Sequence, residues 1–165
     1  MKKLISIILC ACMIFALASC AAKPDYTKIY QPGSSIREDE LFADREALTA
    51  FLSENLEHVT DKNKIEDSYS YWEFNIFVKD GTKSADIKKI TENLEYASVG
   101  YMGKNFMSIK DESKLEDVAY IVVSIDFDAV AEYSADDIAD DVERISANKA
   151  VGKIVLSRVA IVLPA

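Results

Sequence analysis

Residues 71–79 read YWEFNIFVK, and this stretch decides the fold. Apolar side chains occupy every second position from Trp72 to Val78. Successive side chains of a β-strand point to opposite faces of a sheet, so a period of two over nine residues predicts a strand with one buried face. Asp80-Gly81 follows directly and is typical of a turn.

Three further strands are predicted in the second half of the chain. Val118–Phe127 alternates in the same way, with apolar residues at the odd positions from 119 to 127. Val151–Val162 is the final strand. A weaker strand is predicted near Tyr101–Ile109, where Gly100 and Gly103 interrupt the pattern.

Three segments carry the 3.6-residue period of amphipathic helices. The first is Asp44–Leu56, with Asp44 as its cap, and the other two follow Ser84 and Ser134 as caps. Ser134 and Asp137 resemble a capping box with Asp in place of Glu. The positions that share an apolar face are Ala47, Leu48, Phe51 and Leu52, then Ile87, Ile90, Leu94 and Ala97, then Ile138, Ala139, Val142 and Ile145.

The order of these elements predicts the fold class. From residue 71 onward it is β-α-β-β-α-β, and Ser-Ala-Asp opens both helices, at Ser84 and Ser134. That order is the ferredoxin-like split βαβ arrangement. We therefore expect an α+β fold, a ferredoxin-like two-layer sandwich with Asp44–Leu56 as an extra N-terminal helix beside it or over an edge; other α+β layouts stay open.

The N-terminus reads as a separate signal. Lys2 and Lys3 precede the uncharged run Leu4–Leu17, which is shorter than the roughly 20 apolar residues of a spanning helix. The next residues complete the motif LASC, residues 17–20, which resembles the bacterial lipobox at all four positions. The resemblance implies cleavage between Ser19 and Cys20 and lipidation of Cys20. A plain secretory signal with a chance cysteine, or an uncleaved membrane helix, remains the alternative.

Three regions follow from this interpretation. Residues 1–19 are the signal peptide, residues 20–37 are the lipidated cysteine and a flexible tether rich in Pro, Gly and Ser, and residues 38–165 are a single α+β domain. A flexible tether of this length has an end-to-end distance of about 20–25 Å. Acyl chains on Cys20 hold such a protein at a bacterial membrane, outside the cytoplasm.

Charge and cysteine content exclude several classes of function. Removing residues 1–19 takes two lysines and no acid, so the formal net charge changes from −9 to −11. A strongly acidic chain repels phosphate backbones, so nucleic-acid binding is disfavoured. Cys10 and Cys12 leave with the signal, which leaves no disulfide and no cysteine-based zinc site. No cofactor is expected.

Candidate chemical sites are few. Asp126, Asp128 and Glu132 bring three carboxylates together at a strand end, which fits either acid–base work in a hydrolase or a solvated loop. His58, the one histidine, fits the end of a helix better than a metal site. The acidic run of the last helix is read as a solvated face. Gly100–Asn105 fails the phosphate-loop pattern and is read as a flexible turn or a bulged strand.

The face of the sheet turned away from the helices is the most informative surface. Tyr71, Phe77, Tyr120 and Val122 fall on it and are more apolar than a solvated face requires. Either the N-terminal helix or tether covers this face, or it binds an envelope protein or a second copy.

The sequence therefore predicts a lipid-anchored, cell-envelope protein that acts as a small binding module. The alternatives are an envelope hydrolase with an acidic site, and an accessory solute-binding lipoprotein, for which the mature chain is short. The two leading hypotheses differ in whether the aromatic face or the carboxylates carry the function.

Overall fold

The computed structural model describes residues 22–31, 40–56, 59, 68–94, 97–125, 130 and 132–162. The strands are β1 Ile29–Gln31, β2 Glu40–Leu41, β3 Ser68–Val78, β4 Ser98–Gly103, β5 Val118–Ile125 and β6 Val151–Val162. The α-helices are α1 Arg45–Leu56, α2 Ser84–Thr91 and α3 Ala135–Ser146, and 3₁₀ turns occupy Tyr26–Lys28 and Glu112–Asp117.

The fold is α+β, as predicted, and its sheet has six strands in the order β2-β1-β6-β3-β5-β4. The pairing of β1 with β6 is parallel and the other pairings are antiparallel, so the sheet is mixed. Strand β3 lies between β5 and β6 and pairs with both along most of its length. The stretch 71–79 is therefore the central strand, which explains why its alternation is so regular.

The core lies between the sheet and the helices. Trp72, Phe74 and Ile76 are buried on the inner face of β3, and the odd-numbered residues of β5 from Ile121 to Ile125 are buried beside them. The predicted apolar faces of α2 and α3 are also buried in this layer. Full burial of each large apolar side chain contributes about 1.5–3 kcal/mol, so this layer is the main source of stability.

Two of the three predicted helix caps are confirmed. The Asp44 carboxylate accepts from Ala47 N at 3.0 Å, and Ser134 and Asp137 form a reciprocal capping box. The prediction that Ser84 caps α2 is wrong. Lys83 has the extended backbone of the N-cap position, so Ser84 takes the first helical position instead.

The weaker predicted strand is shifted. Strand β4 ends at Gly103 rather than near Ile109, because the chain turns back at Phe106, whose φ is 59°. Ile109 N then donates to Tyr101 O at 2.8 Å, so the residues after the turn return along the edge of β4. The charged segment before β5 contains the 3₁₀ turn Glu112–Asp117.

The flexible-tether prediction is wrong for the part of residues 20–37 that the structure describes. Asp25 N donates to Ser146 Oγ at 2.9 Å, and Lys28 Nζ donates to Ser146 O at 2.8 Å. Ile29 pairs with Ile154 and is completely buried. The N-terminal segment is therefore part of the sheet, and burial of Ile29 together with these hydrogen bonds opposes the entropy cost of ordering it.

Helix α1 lies on the inner face with the other helices. Its main neighbour among the helices is α3. The Phe51 and Trp72 rings meet edge to face at 5.3 Å, and Trp72 Nε1 donates to Asn55 O at 3.0 Å. Helix α1 is therefore part of the helical layer on the inner face, and it does not cover the outer face of the sheet.

Candidate functional site

The four residues predicted as an interaction surface all lie on the outer face of the sheet. The register pairs Phe77 with Tyr120, and their ring centroids are 5.6 Å apart. Val122 lies on the same face of β5, opposite Asn75. Tyr71 is six residues before Phe77 on β3, a separation of about 20 Å along the strand. The structure thus brings Phe77, Tyr120 and Val122 together and leaves Tyr71 apart.

Two apolar side chains that the sequence analysis did not select extend this surface. Phe106 is 77% exposed and its ring centroid lies 6.5 Å from that of Tyr120. Met107 is 67% exposed, compared with 41% for Phe77. An apolar pair directly after Gly-Lys-Asn is a sequence signal for an exposed loop tip, so these two residues could have been identified from the sequence. We call Phe77, Tyr120 and Val122 the aromatic patch, and Phe106 borders it from the loop that follows β4.

Polar pairs surround the aromatic patch on the same face. Asn75 Nδ2 donates to Ser157 Oγ at 3.2 Å, and Lys153 Nζ lies 4.4 Å from the centroid of the Tyr30 ring. Side chains on this face remain partly exposed, whereas Phe74 and Ile76 on the inner face are almost completely buried. An apolar centre with a polar surround is the composition of a protein-binding surface.

The acidic helix α3 has a structural role that the sequence analysis missed. Arg45 on α1 contacts three of its carboxylates, those of Asp136 at 3.3 Å, Asp140 at 2.5 Å and Glu143 at 2.7 Å. These contacts raise the pKa of Arg45, and the largest cause is the hydrogen bond that its guanidinium donates to Asp140. Asp136 and Asp140 stay largely exposed, as the solvated-face interpretation predicts, but their pairing with Arg45 gives the acidic face a structural role as well.

The N-terminal segment joins the same network. The Tyr26 hydroxyl donates to Glu143 Oε1, and burial followed by this hydrogen bond raises the pKa of Tyr26. The Asp25 carboxylate accepts from Thr27 N and pairs with Lys28, and the Thr27 side chain is the largest cause that lowers the pKa of Asp25. The chain is thus held to the C-terminal half of α3 by polar contacts as well as by Ile29.

The predicted acid–base site is not assembled by the described residues. Asp126, Phe127 and Asp128 lie outside them, as does His58, and Glu132 is exposed. Among the described residues, no group of three or more His, Cys, Asp or Glu side chains is placed to bind a metal ion. Nothing in the described part of the chain favours the hydrolase alternative.

A groove of about 640 Å³ lies beside the loop that follows β4. Its lining combines Lys104, Lys110 and Lys114 with Asp111 and Asp117, and Lys104 pairs with Asp80 at 2.6 Å. A phosphate group would meet two carboxylates there, and one of the three ammonium groups already has a carboxylate partner, so the groove has no strong preference for anions. Residues 100–103 lie in β4, whose register shifts between Met102 and Gly103, so the bulged-strand interpretation of Gly100–Asn105 is confirmed and the turn follows at Gly103–Phe106.

The chain was compared with protein-family models, curated proteins and solved structures. No protein-family model, no curated protein and no solved structure matches the chain. The signal, including Ser19 and Cys20, lies outside the described residues. Within the described residues, none of the helices combines the length and the apolar character that crossing a bilayer requires.

Proposed function

We propose that the protein is a lipid-anchored binding module of a bacterial cell envelope, held outside the cytoplasm by acyl chains on Cys20. The support for the anchor is the order of features in residues 1–20: two lysines, an uncharged run, small residues and a cysteine. Two or more acyl chains bind a membrane stably, whereas one chain binds reversibly.

The observation that carries the binding role is the aromatic patch on the outer face of the sheet. Phe77 is 41% exposed and its ring centroid lies 5.6 Å from that of Tyr120, so the two rings form one apolar row. Side chains of this type dominate the energetics of protein interfaces when they are desolvated at the centre of a contact.

The partner is a different protein rather than a second copy. The mature chain carries a formal net charge of −11, so two copies repel each other as they approach. A partner with an apolar contact surface and a net positive charge is attracted at long range and buries the aromatic row at short range.

We also propose that β3 to β6 form a ferredoxin-like unit to which β1 and β2 are added at one edge. The support is the order β6-β3-β5-β4 within the sheet, in which every neighbouring pair is antiparallel. Helix α2 connects β3 to β4, and α3 connects β5 to β6, which is the split βαβ connectivity.

The test of the binding role is co-purification from the native envelope with single substitutions in the patch. Phe77→Ala and Tyr120→Ala should each lower the affinity for the partner by about 30-fold or more. This corresponds to the roughly 2 kcal/mol of binding free energy that a central aromatic contact contributes. Leu41→Ala is the matched control, because Leu41 is also an exposed apolar residue, 50% accessible, at the far edge of the sheet. Urea unfolding of each variant monitors the fold.

Three results would overturn this proposal. Equal retention of the partner by all three variants would place the contact elsewhere. A crosslinked product containing two copies of this chain would show that the patch mediates self-association rather than binding of a different protein. Mass spectrometry that finds an intact Met1, or a Cys20 without acyl chains, would remove the anchor.

A further inference from the structure

The loop at the end of β4 presents two apolar side chains to the surroundings at a fixed position. We call residues 104–109 the β4 loop. Gly103 N donates to Met107 O at 3.0 Å and Phe106 N donates to Gly103 O at 3.0 Å, so the turn is closed by backbone hydrogen bonds. A Cβ on Gly103 would lie 3.1 Å from Asn105 Oδ1, so a larger residue there would require the Asn105 side chain to move. Phe106 and Met107 are thus held outward rather than folded back.

The N-terminal segment meets the domain at the same end of the sheet. Strands β5 and β6 begin at this end, and β3 and β4 finish there. Ser146, which closes α3 just before β6, binds Asp25 N at 2.9 Å. We call this end of the sheet the anchor-side end, because Asp25 is five residues after Cys20.

The spacing allows the β4 loop and the anchor to reach one bilayer. Five residues span at most about 17 Å, so a membrane that holds Cys20 lies close to the anchor-side end. Strand β1 and strand β4 are separated by four strand spacings, about 19 Å across the sheet. The β4 loop and the lipidated residue are therefore two points at one end of a narrow domain.

Charge at the anchor-side end does not oppose this approach. Segments 79–83, 104–117 and 147–150 carry six lysines against five carboxylates, so this end is close to neutral although the mature chain is strongly acidic. The excess of acid lies elsewhere, including Asp136 and Asp140 in the N-terminal half of α3. The anchor-side end is thus the end that anionic headgroups repel least.

We propose that the β4 loop is a second membrane contact, in which Phe106 and Met107 enter the interfacial region of the bilayer that holds Cys20. This inference rests on the proposed lipid anchor and adds an orientation to it. An aromatic and a flexible apolar side chain, flanked by Lys104 and Lys110, suit the boundary between headgroups and acyl chains.

The test uses the lipidated full-length product, purified from a bacterial envelope and reconstituted in vesicles of zwitterionic lipid. Because the sulfur of Cys20 carries lipid and Cys10 and Cys12 leave with the signal, one introduced cysteine is the only free thiol. An environment-sensitive fluorophore is attached at Met107→Cys and, in a second protein, at Phe106→Cys. Ser98→Cys is the matched control, because Ser98 is exposed at the opposite end of the same strand.

The expected result is a blue shift of the loop labels and their quenching by a quencher on the lipid acyl chains, with neither effect at Ser98→Cys. Trp72 fluorescence monitors the fold of each labelled protein. Loop labels quenched by aqueous iodide as strongly as the control would overturn the inference. Loop labels shielded from both quenchers would assign the loop to a protein contact and also overturn it. Failure of the unlabelled protein to float with vesicles would instead refute the anchor.

Discussion

Replacing Ile29 by Ala tests whether the N-terminal segment is part of the sheet. Ile29 is completely buried and lies beside Ile154 in the parallel pairing of β1 with β6. Truncating a buried Ile to Ala removes its transfer free energy and leaves a cavity, which together cost 2–5 kcal/mol in most cores. The segment is only three residues long and lies near the sheet edge, so partial collapse is easier, and we expect a loss of about 3 kcal/mol.

The assay is urea unfolding followed by the fluorescence of Trp72, the one tryptophan in the chain, which is 4% exposed in the folded protein. With a denaturant slope of about 2 kcal/mol per molar urea, Ile29→Ala lowers the midpoint by about 1.5 M. Lys23→Ala is the control from the same segment, and because Lys23 is exposed we expect its midpoint to move by less than about 0.25 M.

A small effect of Ile29→Ala would refute this reasoning. If the midpoint moved by no more than it does in Lys23→Ala, the segment would be a tether, as its Pro, Gly and Ser content predicts. The chain would then join the folded domain further than five residues from Cys20, and the proposed membrane orientation, which depends on that short connection, would fail as well.

Two further predictions concern the polar contacts of α3. Arg45→Met should lower the urea midpoint, because three carboxylates of α3 then repel one another without a cation. Adding 1 M NaCl should reduce this loss, because it shortens the screening length to about 3 Å. A loss that does not depend on salt would point to packing instead. Asp137→Asn should reduce stability at neutral pH and flatten its acid dependence. Hydrogen bonds from Ser134 lower the pKa of Asp137 below 3.8, so its contribution is present above that pH and is lost as the pH falls through the folded-state pKa. Parallel stability–pH curves for Asp137→Asn and the unmodified protein would contradict this.

The elements that the sequence predicts well are those whose pattern is local. The alternation around Phe74 and Ile121 reports a buried face directly, because each residue's neighbours at i ± 2 share its surroundings. The capping box at Ser134 is also local, because both of its hydrogen bonds close within three residues. These signals identify the central strands and the start of α3.

The elements that the sequence does not predict depend on distant partners. Strand β1 has one fully buried residue, Ile29, and its partner on β6 is 125 positions away in the chain. The partners of Arg45 lie 91, 95 and 98 residues away. A single apolar or charged residue in a polar segment has no periodicity, so only the assembled fold identifies it as a contact. The aromatic patch is intermediate, since alternation places Phe77 and Tyr120 on one face but not side by side.

The attachment of the N-terminal segment limits what the aromatic patch can bind. A tether of seventeen flexible residues would let the domain rotate and present any face to any partner. With the chain held at Asp25, acyl chains on Cys20, as proposed above, would turn the anchor-side end toward the bilayer, and the strand axes would lead away from it. Phe77 and Tyr120 lie near the end of β3 and the start of β5, which is the membrane-proximal side of the outer face. A partner that covers these rings must therefore reach to within a strand's length of the membrane surface, which favours a protein that is itself held at the bilayer.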